Sequence, residues 1–541
     1  MSDHEEAATA TGPEQSAVVR AAAQPRRGGA ITIAYQTTPW TLDPAVSWEV
    51  TDNAITHVIF QGFFRYCAAS GEAGTQLEPC LAVEVPSRAN GGLGDDGTTI
   101  TIRLREGVMF HPPVSREVTA EDFKYSFERM MNPRVTPLAP ATYFYLGVVG
   151  AREFYEGRAR SIAGFEAVDR YTVRIRLAQP DPSFLNALTL EFCDVVPREW
   201  VERWGAEFGK HPLGTGPFVF QRWTANREVV LARNPAYWEA GLPYLDEVKY
   251  ALSFAPDVAL RLLKSGRVDC LGDGIPPGDV AAIEDDSDWR DCVRAQPLIA
   301  TTYLFLNVQM RPFDDPIVRR AVSWAIDRDK LERMLAGTGK ALYQLYPPGL
   351  PGHQPDKTYY GYDPDKSRAL LAEASLPQGF STSVYCDNVE PSPQLMRAVC
   401  NDLAAVGIAA DVKPLTNASF VMLQGTSRAL TMGAYAWWMD FPDPVDWIAP
   451  LFTQSVSANS GVNSSFWSSP DLDRMLAEAQ SLTDPQARLA RFHTIQDFIM
   501  GEAPYVTLFS MAKTTMCAPI VGGFYLHPVY EIDPTRFWRG S

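Results

Sequence analysis

Residues 304–337 read LFLNVQMRPFDDPIVRRAVSWAIDRDKLERMLAG. An aspartate followed by a proline favours the start of a helix, because the carboxylate accepts backbone N–H groups and proline fits the first turn. Asp315 and Pro316 stand at such a start, apolar residues recur behind them at helical spacing, and Gly337 is a typical stop. The stretch therefore predicts one long helix from Pro316 to Leu335.

Strands and further helices alternate on both sides of this helix. A start that resembles a capping box at Thr119 predicts a second helix, which ends before Asn132 and Pro133. Strands are predicted at 30–35, 100–104, 171–177, 228–232 and 408–412, and a third helix at 393–405. This order, without an internal repeat, indicates an α/β protein. Stretches rich in proline and glycine near 86–97, 272–278 and 347–356 are candidate domain edges or surface loops.

Length and composition restrict the class of protein. A chain of 541 residues is too long for a single hydrophobic core and predicts two to four domains. With 46% hydrophobic and 11% aromatic residues, its composition is that of a globular protein. The net charge of -16 argues against nucleic acid as a partner, since nucleic-acid backbones require a basic surface. No run approaches the roughly 18 apolar residues that span a bilayer.

The first segment, residues 1–28, is rich in alanine, glutamate, serine and glutamine, and it lacks the apolar region of a signal peptide. This composition predicts a disordered leader or linker. Three explanations stay open: an export signal was removed, the chain was cut from a longer one, or the protein stays inside the cell.

Eight cysteines bear on the compartment. They include no Cys-x-x-Cys, so zinc and thioredoxin chemistry are not expected. Three pairs are candidate disulfides that would connect neighbouring elements: Cys67 with Cys80, Cys270 with Cys292, and Cys386 with Cys400. The alternative is eight buried thiols that pack as small apolar groups. Disulfides would favour a protein that works outside the cytoplasm.

Residues 434–444 read AYAWWMDFPDP. They predict an apolar, aromatic strand that breaks into a turn with two carboxylates, Asp440 and Asp443. Aromatic rings exclude water, and a carboxylate in such surroundings pairs strongly with an ammonium group. The segment is therefore a candidate site for a cationic, partly apolar ligand, with Tyr435, Trp437, Trp438 and Asp440 as its residues. The alternative is a core strand followed by a turn whose carboxylates only cap backbone groups.

Short motifs in a fixed order extend over most of the chain. They are TLDP at 41–44, VIFQGFF at 58–64, FH at 110–111, VTAEDF at 118–123, GTGPF at 214–218, RNPAYW at 233–238, LDEV at 245–248, SGRVD at 265–269, LFLN at 304–307 and PFDDPIVRRA at 312–321. In order and spacing they resemble the peptide/nickel class of extracellular solute-binding proteins of ABC transporters, which includes dipeptide- and oligopeptide-binding proteins. The resemblance covers roughly residues 29–541.

The resemblance implies a two-lobed α/β clamshell, the type II periplasmic-binding-protein fold, with an extra domain inserted in the first lobe. We expect lobe I at 29–70, 191–298 and 509–541, the inserted domain at 71–190, and lobe II at 299–508. The resemblance further implies that the ligand lies between the lobes, that a hinge motion closes them, and that the closed form docks on a membrane permease. The expected protein is an extracytoplasmic monomer.

The resemblance also implies a site. In peptide-binding members of the class, an aspartate of the second lobe pairs with the α-ammonium of a peptide that lies like an added strand. The motif aligns Trp437 and Asp440 with the tryptophan and aspartate of the class. Further candidate ligand contacts are Trp40, Gln61 and Arg428. Position 61 usually carries a glutamate in the class, so a ligand contact there would have exchanged a charge for a neutral amide.

Two alternatives to peptide transport stay open. Members of the class also bind opines, oligosaccharides, glutathione, haem or nickel chelates, and the same fold can serve as a ligand-sensing or regulatory domain. Catalysis is not expected, since the sequence has no Gly-x-Ser-x-Gly or His-Glu-x-x-His motif. The seven histidines are scattered, so neither a metal site nor a cofactor is predicted.

Overall fold

The computed structural model of the protein describes residues 24–134, 139, 142–424, 429–453 and 462–540. Strands recur throughout these ranges. They are β1 (Ala30–Ala34), β2 (Phe64–Tyr66), β3 (Leu77–Pro79), β4 (Thr99–Arg103), β5 (Phe165–Asp169), β6 (Thr172–Arg176), β7 (Phe218–Thr224), β8 (Glu228–Arg233), β9 (Glu247–Ala251), β10 (Cys270–Leu271), β11 (Val293–Pro297), β12 (Ala300–Leu306), β13 (Gly339–Ala341), β14 (Ser381–Asp387), β15 (Ala409–Leu415), β16 (Met432–Trp438), β17 (Tyr505–Met516), β18 (Val521–Gly522) and β19 (Trp538–Arg539).

Helices lie between these strands. They are α1 (Val50–Thr56), α2 (Ala120–Met130), α3 (Ala151–Tyr155), α4 (Phe184–Ala187), α5 (Arg198–Trp204), α6 (Pro256–Lys264), α7 (Val280–Glu284), α8 (Pro316–Ala325), α9 (Arg328–Leu335), α10 (Pro364–Glu373), α11 (Ser392–Ala404), α12 (Asn417–Gln424), α13 (Val445–Phe452), α14 (Pro470–Ser481) and α15 (Pro485–Glu502). The predicted strands and the helix near 393 are present. The helix predicted from Thr119 is present as α2, where Thr119 and Asp122 form the expected capping box.

Two sheets form the frame of the molecule. The smaller has the strand order β10-β1-β9-β8-β7, and the larger runs β11-β17-β12-β16-β14-β15, with β13 paired to β17. In the smaller sheet β1 is parallel to β10 and β9, whereas in the larger sheet β12 is antiparallel to β16 and β17. Mixed sheets with helices between their strands are typical of an α/β protein.

Each sheet has its own apolar core. Ile31 and Val248 of the smaller sheet are fully buried together with Ile55 of α1. Leu304 of the larger sheet is fully buried near Val318 of α8. Separate cores agree with the expectation that a chain of this length divides into several units.

The chain passes between the sheets at two neighbouring places. It enters the larger sheet through β11 and leaves it at the end of β17, directly before Cys517. Cys517 forms a β-bridge and a disulfide with Cys270 of β10, at the edge of the smaller sheet. The disulfide therefore encloses the whole of the larger sheet, and it ties the exit of β17 to the smaller sheet at the point where a hinge between two lobes would lie.

The predicted disulfide partner of Cys270 is wrong. Cys270 is bonded to Cys517, which lies 247 positions away along the chain, and not to Cys292. The two cysteines meet because β10 and the end of β17 are adjacent, and such a contact between distant segments has no local signal in the sequence. Cys292 remains a thiol.

The other two predicted disulfides are also absent from the described residues. Cys67 and Cys80 stay thiols, because Cys67 lies opposite Gln76 near one end of the β2–β3 hairpin and Cys80 follows β3 at the other end. Cys386 of β14 and Cys400 of α11 stay thiols in the core of the larger sheet. They pack as small apolar groups, as the alternative for the cysteines described.

The predicted long helix is in fact two helices. α8 ends at Ala325, Ile326 is extended, and α9 begins at Arg328. The side chain of Asp327 accepts the backbone N–H of Lys330 and caps the second helix. The buried guanidinium of Arg328 donates to backbone carbonyls at positions 323, 326, 360 and 507, and these bonds hold the break in place. An aspartate inside a periodic pattern was the available signal of this new start.

The predicted division into domains stays a prediction, but the sheets can be compared with it. The smaller sheet lies within the ranges predicted for lobe I, and the sheet β4-β6-β5 lies within the inserted segment. β17 runs through the predicted boundary at 508 and 509, and β11 joins the larger sheet. Most of the predicted leader, residues 1–23, lies outside the described residues. Among the described helices, none has the length and apolarity needed to cross a membrane.

Candidate ligand-binding cleft

A cavity of about 920 Å³ lies between the end of β16 in the larger sheet and segments from α1, the inserted segment and the C-terminal part of the chain. One side, called the strand wall below, is formed by residues 435–440 at the end of β16. Another side, called the loop wall, is formed by Trp48, Tyr66, residues 189–192 and residues 528–531. The volume is at the upper end of the range for ligand sites and is sufficient for a ligand of several residues.

The strand wall is positioned by the pairing of β16 with β12. Trp437 lies opposite Thr301, and Trp438 lies opposite Ala300. Because side chains alternate along a strand, Trp437 is buried at 7% exposure while Trp438 is 46% exposed and lines the cavity. β16 ends at Trp438, and Asp440 follows in the turn.

Asp440 is held in place by a second aspartate, which lies in the first turn of α13. The backbone N–H of Asp440 donates to Oδ2 of Asp446 at 2.9 Å, and the indole N–H of Trp437 donates to the same oxygen at 3.3 Å. Tyr143 of the inserted segment donates a long hydrogen bond of 3.5 Å to the Asp440 carboxylate, which lines the cavity. The turn thus fixes the backbone of Asp440. Its carboxylate shares a hydrogen bond with the Asp446 carboxyl, and no cation of the described residues lies beside it.

The electrostatics of this turn favour a cationic ligand. Burial raises the pKa of Asp440 to about 7. Burial and the negative charge of Asp440 together raise the pKa of Asp446. Two adjacent carboxyls in dry surroundings avoid carrying two charges, so they retain a proton near neutral pH unless a cation lies beside them. An ammonium group at Asp440 would replace that proton.

Asp443 has a different role from Asp440. Its two oxygens accept from the guanidinium of Arg488, each at 2.8 Å, and Oδ1 also accepts the backbone N–H of Val445 at the start of α13. The ion pair is buried and bidentate, a geometry that favours a strong, rigid contact. Asp443 thus caps a backbone group, as the alternative for the turn expected, and in addition its carboxylate is engaged in an ion pair that the alternative did not foresee.

The loop wall combines aromatic rings with carboxylates. Trp48 stacks on Phe192 with ring centroids 5.4 Å apart. Glu531 is neutralised by an ion pair with Lys513. Glu191 begins the 3₁₀ turn Glu191–Cys193, and burial raises its pKa. Within the described part of the chain, no other residue donates a hydrogen bond to the Glu191 carboxylate.

The cavity has an excess of negative charge. Its acidic lining residues are Glu156, Glu191, Asp440 and Glu531. Among the described lining residues, Arg152 is the only lysine or arginine, and it is exposed on α3 at the rim. A concave surface with this charge balance attracts cations and disfavours anions.

Three of the predicted ligand contacts do not lie in the described cavity lining. Gln61 is buried behind the loop wall, where it lines a second, smaller cavity and its amide donates to Tyr237 and accepts from the indole of Trp238, each at 3.0 Å. A neutral amide suits this place because both a donor and an acceptor are required. Trp40 is 60% exposed, and its backbone N–H donates to Asp52. Arg428 lies outside the described residues.

The structure adds residues that sequence reasoning missed. Asp446 organises the turn from the first turn of α13, a helix that the sequence analysis did not predict, and its available signal was an acidic residue shortly after Pro444. Tyr143 and Glu191 reach the cavity from segments that are distant in sequence, and no local pattern marks them. Tyr435, Trp437, Trp438 and Asp440 do line the cavity together. Their role in ligand binding is a prediction.

A cleft between two lobes, each built on a sheet covered by helices and connected where the chain passes twice between them, defines the class of clamshell solute-binding proteins. Residues 77–459 match the sequence profile of the bacterial extracellular solute-binding proteins, family 5 Middle. The chain belongs to this family. The resemblance found in the sequence motifs and the predicted two-lobed fold are thereby confirmed.

Individual relatives agree with this assignment. The glutathione-binding protein GsiB of Escherichia coli (strain K12) is 28% identical over 494 residues, which are 90% of each chain. Among solved structures, the clavulanic acid biosynthesis oligopeptide binding protein 2 has a TM-score of 0.88 at 25% identity and covers 95% of this chain and 96% of its own. The periplasmic binding protein DppA from Helicobacter pylori, in complex with the peptide STSA, has a TM-score of 0.79 at 23% identity, with 95% and 99% covered.

The family and its relatives establish the general activity. The protein is a solute-binding protein of the ABC-importer class. Its relatives are binding proteins, which agrees with the expectation that the cleft captures a solute without converting it.

Proposed function

We propose that the protein captures a peptide or peptide-like solute with a free ammonium group between its two lobes and delivers it to the transmembrane subunits of an ABC permease. It does so outside the cytoplasm, as a monomer and without turnover. Relatives whose names include a peptide or glutathione support the ligand class. Membership of an extracellular family supports the location.

The observation that carries this proposal is the Asp440 carboxylate at the strand wall. It lies beside Trp438, its backbone is fixed by Asp446, and its pKa is raised by burial. A carboxylate in these surroundings gains strongly from a cation that replaces its proton. The α-ammonium of a peptide supplies such a cation, and the exposed ring of Trp438 supplies apolar contact to the rest of the ligand.

The charge of the cavity separates this ligand from glutathione. Glutathione has a net negative charge at neutral pH, whereas the described lining places four acidic side chains against Arg152 at the rim. A cavity with this balance favours a neutral or cationic peptide. The similarity to glutathione-binding proteins therefore supports a ligand with a peptide-like backbone. The acidic lining of the cavity supports a ligand that, unlike glutathione, is neutral or positively charged.

A thermal-shift titration tests the proposal. The protein is heated with pools of di- to pentapeptides, each beside its N-acetylated copy, because a ligand far above its Kd raises the melting temperature. We expect a shift with free peptides that disappears on acetylation. Absence of a shift with every free pool would contradict peptide binding and direct the search to opines, oligosaccharides and metal chelates. Recovery of the ligand chemically unchanged after incubation is expected, and cleavage products would contradict the absence of turnover.

A further inference from the structure

A second cavity of about 60 Å³ lies behind the loop wall and is called the side chamber below. Tyr66, Thr189, Glu191 and Tyr530 line both cavities, so the side chamber adjoins the main cavity across these four side chains. Its volume is sufficient for a guanidinium group, or for an ammonium group with accompanying water, but not for a whole residue.

The side chamber contains two carboxyl groups that pair with no lysine or arginine among the described residues. Asp194 is 8% exposed and lines the chamber beside Glu191. In the described part of the chain, its carboxylate accepts no hydrogen bond, and Glu191 accepts only from its own backbone. Glu191 is partly exposed to the cavities, but Asp194 is buried, and a buried carboxyl without a donor requires an explanation such as a ligand or a bound water.

The basic groups around the side chamber are already paired with other acids. His57 lies 3.7 Å from Asp533. Arg65 pairs with Glu78 at 2.6 Å and with Glu239 at 3.0 Å. Arg536 contacts Glu239 as well, at 2.6 Å. Arg65 and Arg536 are therefore not available to Glu191 and Asp194, while the charge of His57 acts on Glu191 through space.

We propose that the side chamber receives the side-chain ammonium or guanidinium group of the ligand, held by Glu191 and Asp194, so that the protein prefers peptides with a lysine or arginine residue. The inference rests on the proposed function and deepens it. Asp440 at the strand wall would hold the α-ammonium, and the side chamber would hold a second cation from the loop wall. A ligand bound in this way contacts both lobes, which is the condition for closure by a hinge motion.

An organic cation fits the side chamber better than a metal ion. Among the described residues there is no group of three or more histidine, cysteine, aspartate or glutamate side chains placed to hold a metal. Two carboxylates with tyrosine and threonine hydroxyls nearby are instead suited to the several N–H donors of an ammonium or guanidinium group.

Isothermal titration calorimetry with matched peptides tests this inference. One set contains lysine or arginine at each position of di- to tetrapeptides with free N-termini, and the matched set contains norleucine or citrulline there. For the wild-type protein we expect the basic peptides to bind at least 30-fold more tightly than their neutral partners. In Glu191→Gln and Asp194→Asn this ratio should fall below fivefold. Glu202→Gln, which removes an exposed charge of α5 that is not in the described lining of either cavity, should keep the full ratio.

The outcomes separate the inference from the proposed function. If basic and neutral peptides bind wild-type protein equally well, and acetylation still abolishes binding, the side chamber holds water only and the inference is overturned while peptide binding stands. If no free peptide binds, both are overturned. Folding of the two variants is checked by their melting temperatures. These should be close to that of the wild type, because an amide has nearly the same shape as the carboxyl group it replaces. If both variants fold and still bind basic peptides at least 30-fold more tightly than the neutral ones, the inference is overturned as well.

Discussion

Asp440 and Asp443 lie three residues apart in one turn, yet the fold uses them in different ways. The carboxylate of Asp443 accepts hydrogen bonds from the guanidinium of Arg488 and from the backbone at the start of α13. Asp440 lines the cavity, and its described side-chain partners are the carboxyl of Asp446 and a long contact with Tyr143, neither of which is a cation. The comparison teaches that a carboxylate with a protein cation serves the fold, whereas a buried carboxylate without one is available to a ligand.

The largest effect is expected for Asp443→Asn. The substitution leaves the charge of Arg488 buried beside a neutral amide, and breaking a buried ion pair in this way costs about 3–5 kcal/mol of unfolding free energy. Urea denaturation measures the loss. Ligand affinity of the folded protein should remain close to that of the wild type, because Asp443 does not line the cavity.

The double variant Asp443→Asn, Arg488→Met is the control for this prediction. Removing both charges should restore part of the lost stability, since no buried charge is then left without a partner. A loss below about 1 kcal/mol in the single variant would contradict the structural role of the pair.

Asp440→Asn should have the opposite effect: ligand affinity should fall while the free energy of unfolding is kept. Free-ammonium ligands should bind about 2–4 kcal/mol more weakly, because the variant removes one charge of a desolvated ion pair. Ligands without the ammonium group should be hardly affected. Calorimetry with a peptide and its N-acetylated copy measures both values, and an equal loss for the two ligands would show that Asp440 is structural.

The stability of Asp440→Asn should equal or exceed that of the wild type at pH 8. The pKa of Asp440 is raised in the folded protein, so the stability that it contributes is present below its unfolded pKa and is lost as the pH rises through about 7. The pKa of Asp446 is raised as well, in part by the charge of Asp440. Replacement of Asp440 by a neutral residue removes this repulsion. A clear drop in melting temperature at pH 8 would contradict the comparison with Asp443.

Affinity should depend on pH through the same carboxyl. Below pH 7 Asp440 carries a proton that an ammonium ligand must displace, so affinity should fall up to about tenfold, or about 1.4 kcal/mol, for each pH unit between 7 and 5. The charged or titratable groups near Asp440 are Tyr143, Glu191 and Asp446. Calorimetry at pH 6 in buffers of different ionisation enthalpy should detect about one proton released per ligand. Asp440→Asn should release none, and an equal release in both proteins would assign the proton elsewhere.

The sequence predicts the strand wall well and the loop wall poorly. Tyr435, Trp438 and Asp440 are neighbours along one strand and turn, so a local pattern of aromatic residues followed by an acid is sufficient to find them. Trp48 and Glu191 meet only because distant segments pack together. The same reason explains why Cys517 was missed as the partner of Cys270. Alternation of strands and helices predicted the fold class, while the break at Asp327 required the packing of Arg328.

The smallest expected effect concerns Trp438, which is adjacent to buried Trp437 but is 46% exposed in the cavity. Trp438→Ala removes an aromatic surface for the ligand without opening the core, so affinity should fall by about 1 kcal/mol while the melting temperature changes little. Trp438→Phe keeps a ring there and should retain most of the affinity. Binding should also alter tryptophan fluorescence in the wild type more than in Trp438→Phe, because the ligand covers the indole. If Trp438→Ala binds peptides as tightly as the wild type, the ligand does not contact this ring, and Asp440 alone would define the strand wall as a binding surface.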